Sequence, residues 1–333
     1  MANKKIIDLS KQRNKKLIKK IFRIIRIPVA VLVVCCALFL SARLLGNVAM
    51  SNVTDTVREV KTLFTKGEGY PHSLDSFDFR KVTSIGGKPL IIYKESAQVL
   101  SSSAGEMFSL KLDSADSKVI SKNGRALIYS STSNKVILQS RTEELGKVEE
   151  DFTVVATGLS KNGCIATSYA SGENQSVLTV YNRYFDKIFQ WNCSQERISD
   201  IGLSKNGKNL VVTAVGTENA EIYTRIIIFN INSSEPKADL MYRGTLFLRA
   251  VYTDSNKIIA VGDNRAVVLD KNGDTIEELV YPEDSISAIF RGSAIVAMFI
   301  SRTGTRDTSS IGKRSQTINT GLFTLLSSTT TET

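Results

Sequence analysis

From about residue 74 onward, apolar and polar positions alternate in short runs separated by glycine-, asparagine- and serine-bearing breaks, the pattern of β-strands joined by tight turns. Ser121-Lys122-Asn123-Gly124, Ser160-Lys161-Asn162-Gly163 and Ser204-Lys205-Asn206-Gly207 repeat one tetrapeptide. Each leads into an apolar run: Ala126-Leu127-Ile128-Tyr129, Cys164-Ile165-Ala166 and Leu210-Val211-Val212. Asn-Gly between two apolar strands predicts a type I′ hairpin, because that turn needs positive φ at both central residues. Gly86-Gly87, Ser255-Asn256 and Arg291-Gly292 stand at the matching points of weaker copies. Gly87, Gly124, Gly163, Gly207, Asn256 and Gly292 therefore mark six recurring hairpins, spaced by about 41 residues on average.

A period of about 40 residues made only of strands and turns predicts a β-propeller, in which each repeat is a four-stranded blade. One copy shows all four strands between 152 and 191, and the next shows them between 198 and 242. About six blades are expected, at 74–112, 117–149, 152–194, 197–243, 245–282 and from 285 onward. A seven-bladed ring and a two-sheet sandwich are the alternatives. Residues 301–333 are rich in Ser and Thr, with Ile318 and 321–326 the only strand-like stretches, so the last blade is the weakest.

Ahead of this all-β region the pattern changes twice. Residues 27–42 carry no charge and are bracketed by Arg26 and Arg43. They are apolar all round, as a membrane helix is, and Leu44 and Leu45 extend them toward the length of a bilayer core. The expectation is a signal-anchor helix over 27–48, with Ile27, Val31, Leu38 and Leu40 among its lipid-facing positions. A buried core helix and a cleaved signal peptide are the competitors. No small-x-small cleavage site follows, and Leu32-Val33-Val34-Cys35 lacks the small residue a lipidated cysteine would need before it. Then Val53, Val57, Val60 and Phe64 recur at helical spacing, with Asp55, Arg58, Glu59 and Lys61 between them. This predicts an amphipathic stalk, broken by Gly67, Gly69 and Pro71, so that 49–71 is stalk and linker and 72–333 is the propeller.

Charge orients the span. Residues 1–26 hold ten basic side chains and one acid, Asp8, whereas the other flank is mixed. By the positive-inside rule the tail stays cytoplasmic and the remainder lies outside a plasma membrane crossed once. The tail would also rest on anionic lipid headgroups. Nine of the ten net positive charges reside in this tail and the tenth is Arg43, beyond which there are 32 basic and 32 acidic residues. Bulk charge therefore makes no case for nucleic acid as a partner.

Chemistry is sparse. His72 is the sole histidine, in the linker, and no Cys/His cluster has the spacing of a zinc site. Cys164 and Cys193 fall on the second and fourth strands of one repeat, about 10 Å apart, so buried free thiols are expected. Gly158 to Gly163 has one residue too many for a nucleophile elbow and has no histidine to act as base. Asp270-Lys271-Asn272-Gly273-Asp274 opens like a calcium loop but lacks the closing glutamate and reads as a turn. Trp191 reads as blade core. No catalytic, cofactor-binding or metal-ligating residues are expected.

The basic tail, single span, helical stalk, Gly67-Glu68-Gly69-Tyr70-Pro71 linker and Leu-Ser-Lys-Asn-Gly repeats resemble DUF5711, an uncharacterised family of membrane-anchored, propeller-like proteins of Gram-positive, clostridial-type bacteria. The turns are also similar to the Ser-Pro-Asp-Gly turns of WD40-like and TolB-like propellers. The resemblance implies fold and topology and carries no catalytic residue across. The functional expectation is a non-enzymatic binding or scaffolding module at the cell envelope, its partner a protein or envelope component and its oligomeric state open. A carboxylate-dependent hydrolase of envelope glycan or peptide, and a ligand sensor signalling to the tail, are the alternatives.

Overall fold

The computed structural model describes residues 28–29, 31–37, 54–58, 67, 69–74 and 77–280, together with the backbone of strands lying between 286 and 326. Residues 1–50 and 51–333 form two compact units. In the first, 28–29 and 31–37 are helical, and Val31 is exposed. No helix among the described residues is long and apolar enough to cross a membrane. Ile27, Leu38, Leu40, the basic tail and the rest of the expected span lie outside the described residues.

The second unit is built from strands. A first sheet comprises β1 (Phe79–Ile85), β2 (Lys88–Tyr93), β3 (Ser96–Leu100) and β4 (Glu106–Lys111). A second follows with β5 (Ser117–Lys122), β6 (Arg125–Ser130), β7 (Lys135–Gln139) and β8 (Glu144–Glu149). The third holds β9 (Val154–Leu159), β10 (Ile165–Tyr169), β11 (Ser176–Tyr181) and β12 (Lys187–Cys193). The fourth holds β13 (Arg197–Leu203), β14 (Asn209–Glu218), β15 (Glu221–Asn230) and β16 (Ala238–Arg243), and the fifth β17 (Phe247–Tyr252), β18 (Ile258–Gly262), β19 (Arg265–Leu269) and β20 (Thr275–Val280). All five are antiparallel meanders, each strand paired with the next in the chain. Beyond them β21 (Ile286–Arg291), β22 (Val296–Ile300), β23 (Asn319–Thr320) and β24 (Phe323–Leu326) form a sheet of order β21-β22-β24-β23, in which β22 and β24 run parallel. The weak ending expected from the Ser/Thr-rich sequence thus coincides with a departure from the meander.

Successive sheets meet face to face, with their first strands side by side: β1 beside β5, β5 beside β9, β9 beside β13, and β13 beside β17. This is the packing of propeller blades. It demands strands buried on both faces. In the fourth sheet Leu210, Val212, Ile227 and Phe229 pack with Leu178, Val180 and Ala166 of the third, while their neighbours Val211, Ile226 and Ile228 pack with Ala250, Ala260 and Val267 of the fifth. The alternation of the pleat sends adjacent side chains into different interfaces, which is why this sequence reads as continuous apolar runs. Phe229 is fully buried, with ring centroids 5.0 Å from Trp191 and 5.6 Å from Phe189. Trp191, half-buried, packs against this core, and Phe229→Ala would cost about 3–5 kcal/mol.

Candidate functional site

In a meander the turn after the first strand and the turn after the third lie at the same end of the sheet. The structure aligns these ends across all five sheets and so gathers the repeat turns into one surface. Two turns have the expected form. Gly86 and Gly87 (φ 57° and 81°) and Asn123 and Gly124 (φ 51° and 72°) close two-residue hairpins, with Ile85 opposite Lys88 and Lys122 opposite Arg125.

The other Ser-Lys-Asn-Gly copies differ from the expected type I′ turn. Asn162 and Asn206 do not have positive φ; only Gly163 (93°) and Gly207 (70°) do. Gly163 N donates to Ser160 O (3.3 Å) and Ser160 N to Cys164 O (3.0 Å), while Gly207 N donates to Ser204 O (3.0 Å) and Ser204 N to Asn209 O (2.9 Å). These are wider turns with glycine in the final, left-handed position. The serine takes a different partner in them. Ser160 Oγ accepts from Cys164 N (2.7 Å) and Ser204 Oγ from Asn209 N (3.0 Å), drawing serine out of the ladder and into the loop. In the first copy Ser121 stays in the ladder opposite Ala126. Asn256 (φ 59°) takes the glycine position of the same wider turn. Gly292 lies outside the described residues.

In the first two copies the repeated asparagine has a role that hairpin chemistry did not signal: it fastens its turn to the next. Asn123 Nδ2 donates to Lys161 O (2.8 Å), joined there by Arg125 Nη1 (3.0 Å), and Asn162 Nδ2 donates to Asn206 O (2.7 Å). Ser121 Oγ reaches back to Ser84 O (2.5 Å). Lysines ride on this chain of clasps: Lys122 Nζ donates to Leu203 O (3.4 Å), and Lys161 Nζ pairs with Asp254 Oδ1 at 2.5 Å. The Lys161 bond, aided by the charges of Lys161, Lys205 and Lys122, holds the Asp254 carboxyl below its usual range.

Two further groups dock at this end from the N-terminal side. Asp55, in the helical stretch 54–58, is fully buried. Its Oδ1 accepts from Ser140 Oγ (2.9 Å) and Thr142 Oγ1 (2.5 Å), and its Oδ2 from Arg141 N (3.1 Å) and Arg141 Nε (3.3 Å). All four donors belong to the β7–β8 turn, and Arg58 pairs with Glu143 of the same turn. Gly69 N and Tyr70 OH donate to Ser103 O (3.1 Å) and Ser101 O (3.0 Å) of the β3–β4 turn. Within the expected stalk, a residue of the polar face is buried and Val57 of the apolar stripe is 65% exposed, while Val53, Val60 and Phe64 lie outside the described residues. A carboxylate with four donors can be buried where a valine would leave those donors unsatisfied.

The opposite end carries buried carboxylates as rivets. Glu150 accepts from Thr167 Oγ1 and from Tyr181 OH (3.0 Å), and burial together with Glu150 pushes the Tyr181 phenol up. Glu196 accepts from Cys193 Sγ (2.8 Å), Tyr223 OH (3.1 Å) and Arg225 Nη1 (2.9 Å). Burial works against the Glu196 carboxylate, but the bonds from Cys193, Arg225 and Tyr223 and the charge of Arg225 outweigh it, and its carboxyl sits below the usual range. Asp200, on β13, binds Arg249 Nη1 and Ala250 N of β17, both at 2.9 Å. Cys164 and Cys193 are buried and free, with thiols pushed up by burial. Asp270 spends both oxygens on its own turn, accepting from Asn272 N (2.7 Å), Asp274 N (2.9 Å) and Asn272 Nδ2 (3.1 Å). Among the described residues no group of three or more His, Cys, Asp or Glu could hold a metal. An open pocket of about 690 Å³ on the first sheet is lined by Asp78, Tyr93, Lys94, Glu95, Gln98 and Lys111, whose charges balance.

Between β1 and β20, the segments at the clasped end contain eight basic and six acidic residues, and those at the other end contain one basic and eight acidic. The connecting segments thus differ in charge between the two ends, while Lys118, Lys135, Arg197 and Arg265 stand where their strands begin at the other end.

Comparison with one solved structure supports the fold. KlHsv2 with loop 6CD replaced by a Gly-Ser linker aligns at 12% identity and TM-score 0.51, over 69% of this chain and 78% of that one. Kluyveromyces lactis Hsv2 aligns at 11% identity and TM-score 0.46, over 60% and 64%. The Neurospora crassa Pan2 WD40 domain aligns at 12% identity and TM-score 0.46, over 65% and 69%. No curated protein matches the chain. Residues 65–314 match DUF5711, described as a family of unknown function.

Proposed function

The chain belongs to DUF5711, a family of unknown function, and we propose that it is a membrane-anchored, extracytoplasmic β-propeller of about six blades that works as a binding and scaffolding module at the cell envelope. The observation that carries this reading is how the carboxylates are used. Asp55, Glu150, Glu196 and Asp200 are buried and each is spent on structural donors. Buried carboxylates committed this way stiffen a scaffold and are poorly placed for proton transfer. A rigid ring with charged loops at both ends suits the capture of a protein or envelope component, without a cofactor. The basic tail suits anionic lipid on the cytoplasmic side.

One observation favours the sensor reading as the second choice. The stalk is gripped through Asp55, so a ligand that shifted the β7–β8 turn would be felt by the segment leading to the span.

Location is tested by fusing, after Gly67, a reporter active only outside the cytoplasm. Activity is expected; silence, with a cytoplasmic reporter active instead, overturns the topology. The scaffold half is tested with the purified chain and envelope glycan. Turnover that disappears on Asp200→Asn or Glu150→Gln would put the hydrolase in its place.

A further inference from the structure

We infer that the clasped, lysine-bearing end of the propeller lies against an anionic lipid bilayer and that the acidic end points away from it. The inference rests on the membrane-anchored reading and adds to it the face that meets the lipid.

Three observations converge. The chain enters the ring at the clasped end, where the β7–β8 turn holds Asp55 and the β3–β4 turn holds Gly69 and Tyr70. From Val48, where the expected span stops, to Asp55 the chain can stretch no more than about 25 Å. A six-residue strand adds about 20 Å more before the far end is reached. Tethering alone therefore sets the clasped end nearer the membrane.

Charge acts in the same direction. Lys205 and Lys208 of the β13–β14 turn are exposed, and Lys122, Lys161 and Lys257 are half-buried around them, with Asp254 the acid in their midst. Near an anionic leaflet each lysine is worth roughly a fivefold gain in membrane partition. The exposed acidic residues of the far segments, Glu95, Asp113, Asp116, Asp151, Glu173 and Asp263, would be repelled. Aromatic rings of the type that settle at headgroup level occur at the clasped end too: Tyr70 is 53% exposed, and Tyr184, beneath the Arg183 guanidinium at 5.0 Å, is 44% exposed.

The test uses the full chain, with Cys35 and Cys36 replaced by alanine, reconstituted into vesicles containing an energy-transfer acceptor lipid. A donor dye is placed on Ser255→Cys at the clasped end or on Glu173→Cys at the acidic end, both exposed positions. In vesicles with a third phosphatidylglycerol, transfer from position 255 is expected to exceed that from position 173 at least threefold. The excess should shrink in pure phosphatidylcholine, in 0.5 M salt, and in Lys205→Glu/Lys208→Glu, whose melting curve serves as the folding control. Equal or reversed transfer from vesicle-bound protein overturns the orientation and leaves the anchor standing. An excess indifferent to lipid charge, salt and the double substitution refutes the lysine–lipid contact. Protein that fails to float with the vesicles removes the anchor and this inference together.

Discussion

Ser140 donates its hydroxyl to Asp55 across 2.9 Å, although the two residues are 85 positions apart in the chain. The β7–β8 turn that carries Ser140 is two sheets' worth of chain downstream of the stalk, yet it supplies every donor to that buried carboxylate. Asp55 is thereby tied into the architecture of the second sheet.

Asp55→Ala should release the stalk from this turn. Charge-assisted bonds are each worth about 1.5–3 kcal/mol, but undocking lets the stranded donors regain water, so the loss is confined to local opening. Hydrogen exchange at the Arg141 amide, which donates to Asp55, should accelerate about tenfold or more while amides in β13–β15 keep their rates. Unchanged exchange at Arg141 would show that the contact contributes nothing.

Gly207 and Gly87 both have positive φ, but their surroundings differ. A Cβ on Gly207 would stand 2.6 Å from Cys164 Sγ, whereas nothing lies within 4 Å of one on Gly87. Gly87→Ala should therefore cost about 1 kcal/mol from backbone strain alone, and Gly207→Ala about 2–4 kcal/mol from strain and overpacking together. Lys205→Ala should stay within about 0.5 kcal/mol. Denaturant midpoints check the ranking, and equal costs at the two glycines would remove the contact between neighbouring turns.

Asn162 reaches across to Asn206 O, while Asn272, in the related Asp-Lys-Asn-Gly turn, bonds only to Asp270 of its own loop. Asn162→Ala should cost about 1–1.5 kcal/mol and Asn272→Ala about 0.5 kcal/mol. Thermal unfolding of the two variants in parallel decides whether the motif's asparagine works between blades or only within its turn.

Glu196, whose carboxyl is held low, links stability to pH. Its ionised form is favoured by the fold, so this contribution is complete above the unfolded value of about 4.3 and drains away as pH falls through the lower folded value. Glu196→Gln should flatten the stability profile below about pH 4.5 relative to the native chain. Glu196→Ala should cost about 2–3 kcal/mol, at the lower end for a broken buried pair because Arg225 keeps Asp239. A native and a Gln profile of identical slope in acid would mean that other carboxylates carry the acid sensitivity.

Strand positions were legible from local pattern because alternation and turn residues act over a few neighbours: the five meanders lie within the segments expected for them. Turn type was less legible. Ser-Lys-Asn-Gly closes a two-residue hairpin at 121–124 and wider turns at 160–163 and 204–207, and the difference lies in whether the serine pairs in its ladder or hydrogen-bonds within the loop. The four residues are identical, so the choice is made by what surrounds them.

The sequence by itself determined an all-β chain of repeated four-stranded units, a charge-free segment near the N-terminus and a neutral sum of charge beyond Arg43, since each of these follows from residue order or from counting. Only the tertiary structure decided that Asp55 is buried, that Asn123 and Asn162 join one sheet to the next, and that the connecting segments at the two ends differ in charge. Which end a loop occupies depends on strand direction and on the first strands lying side by side, so residues scattered between Arg141 and Lys271 become neighbours in charge only after the sheets have stacked.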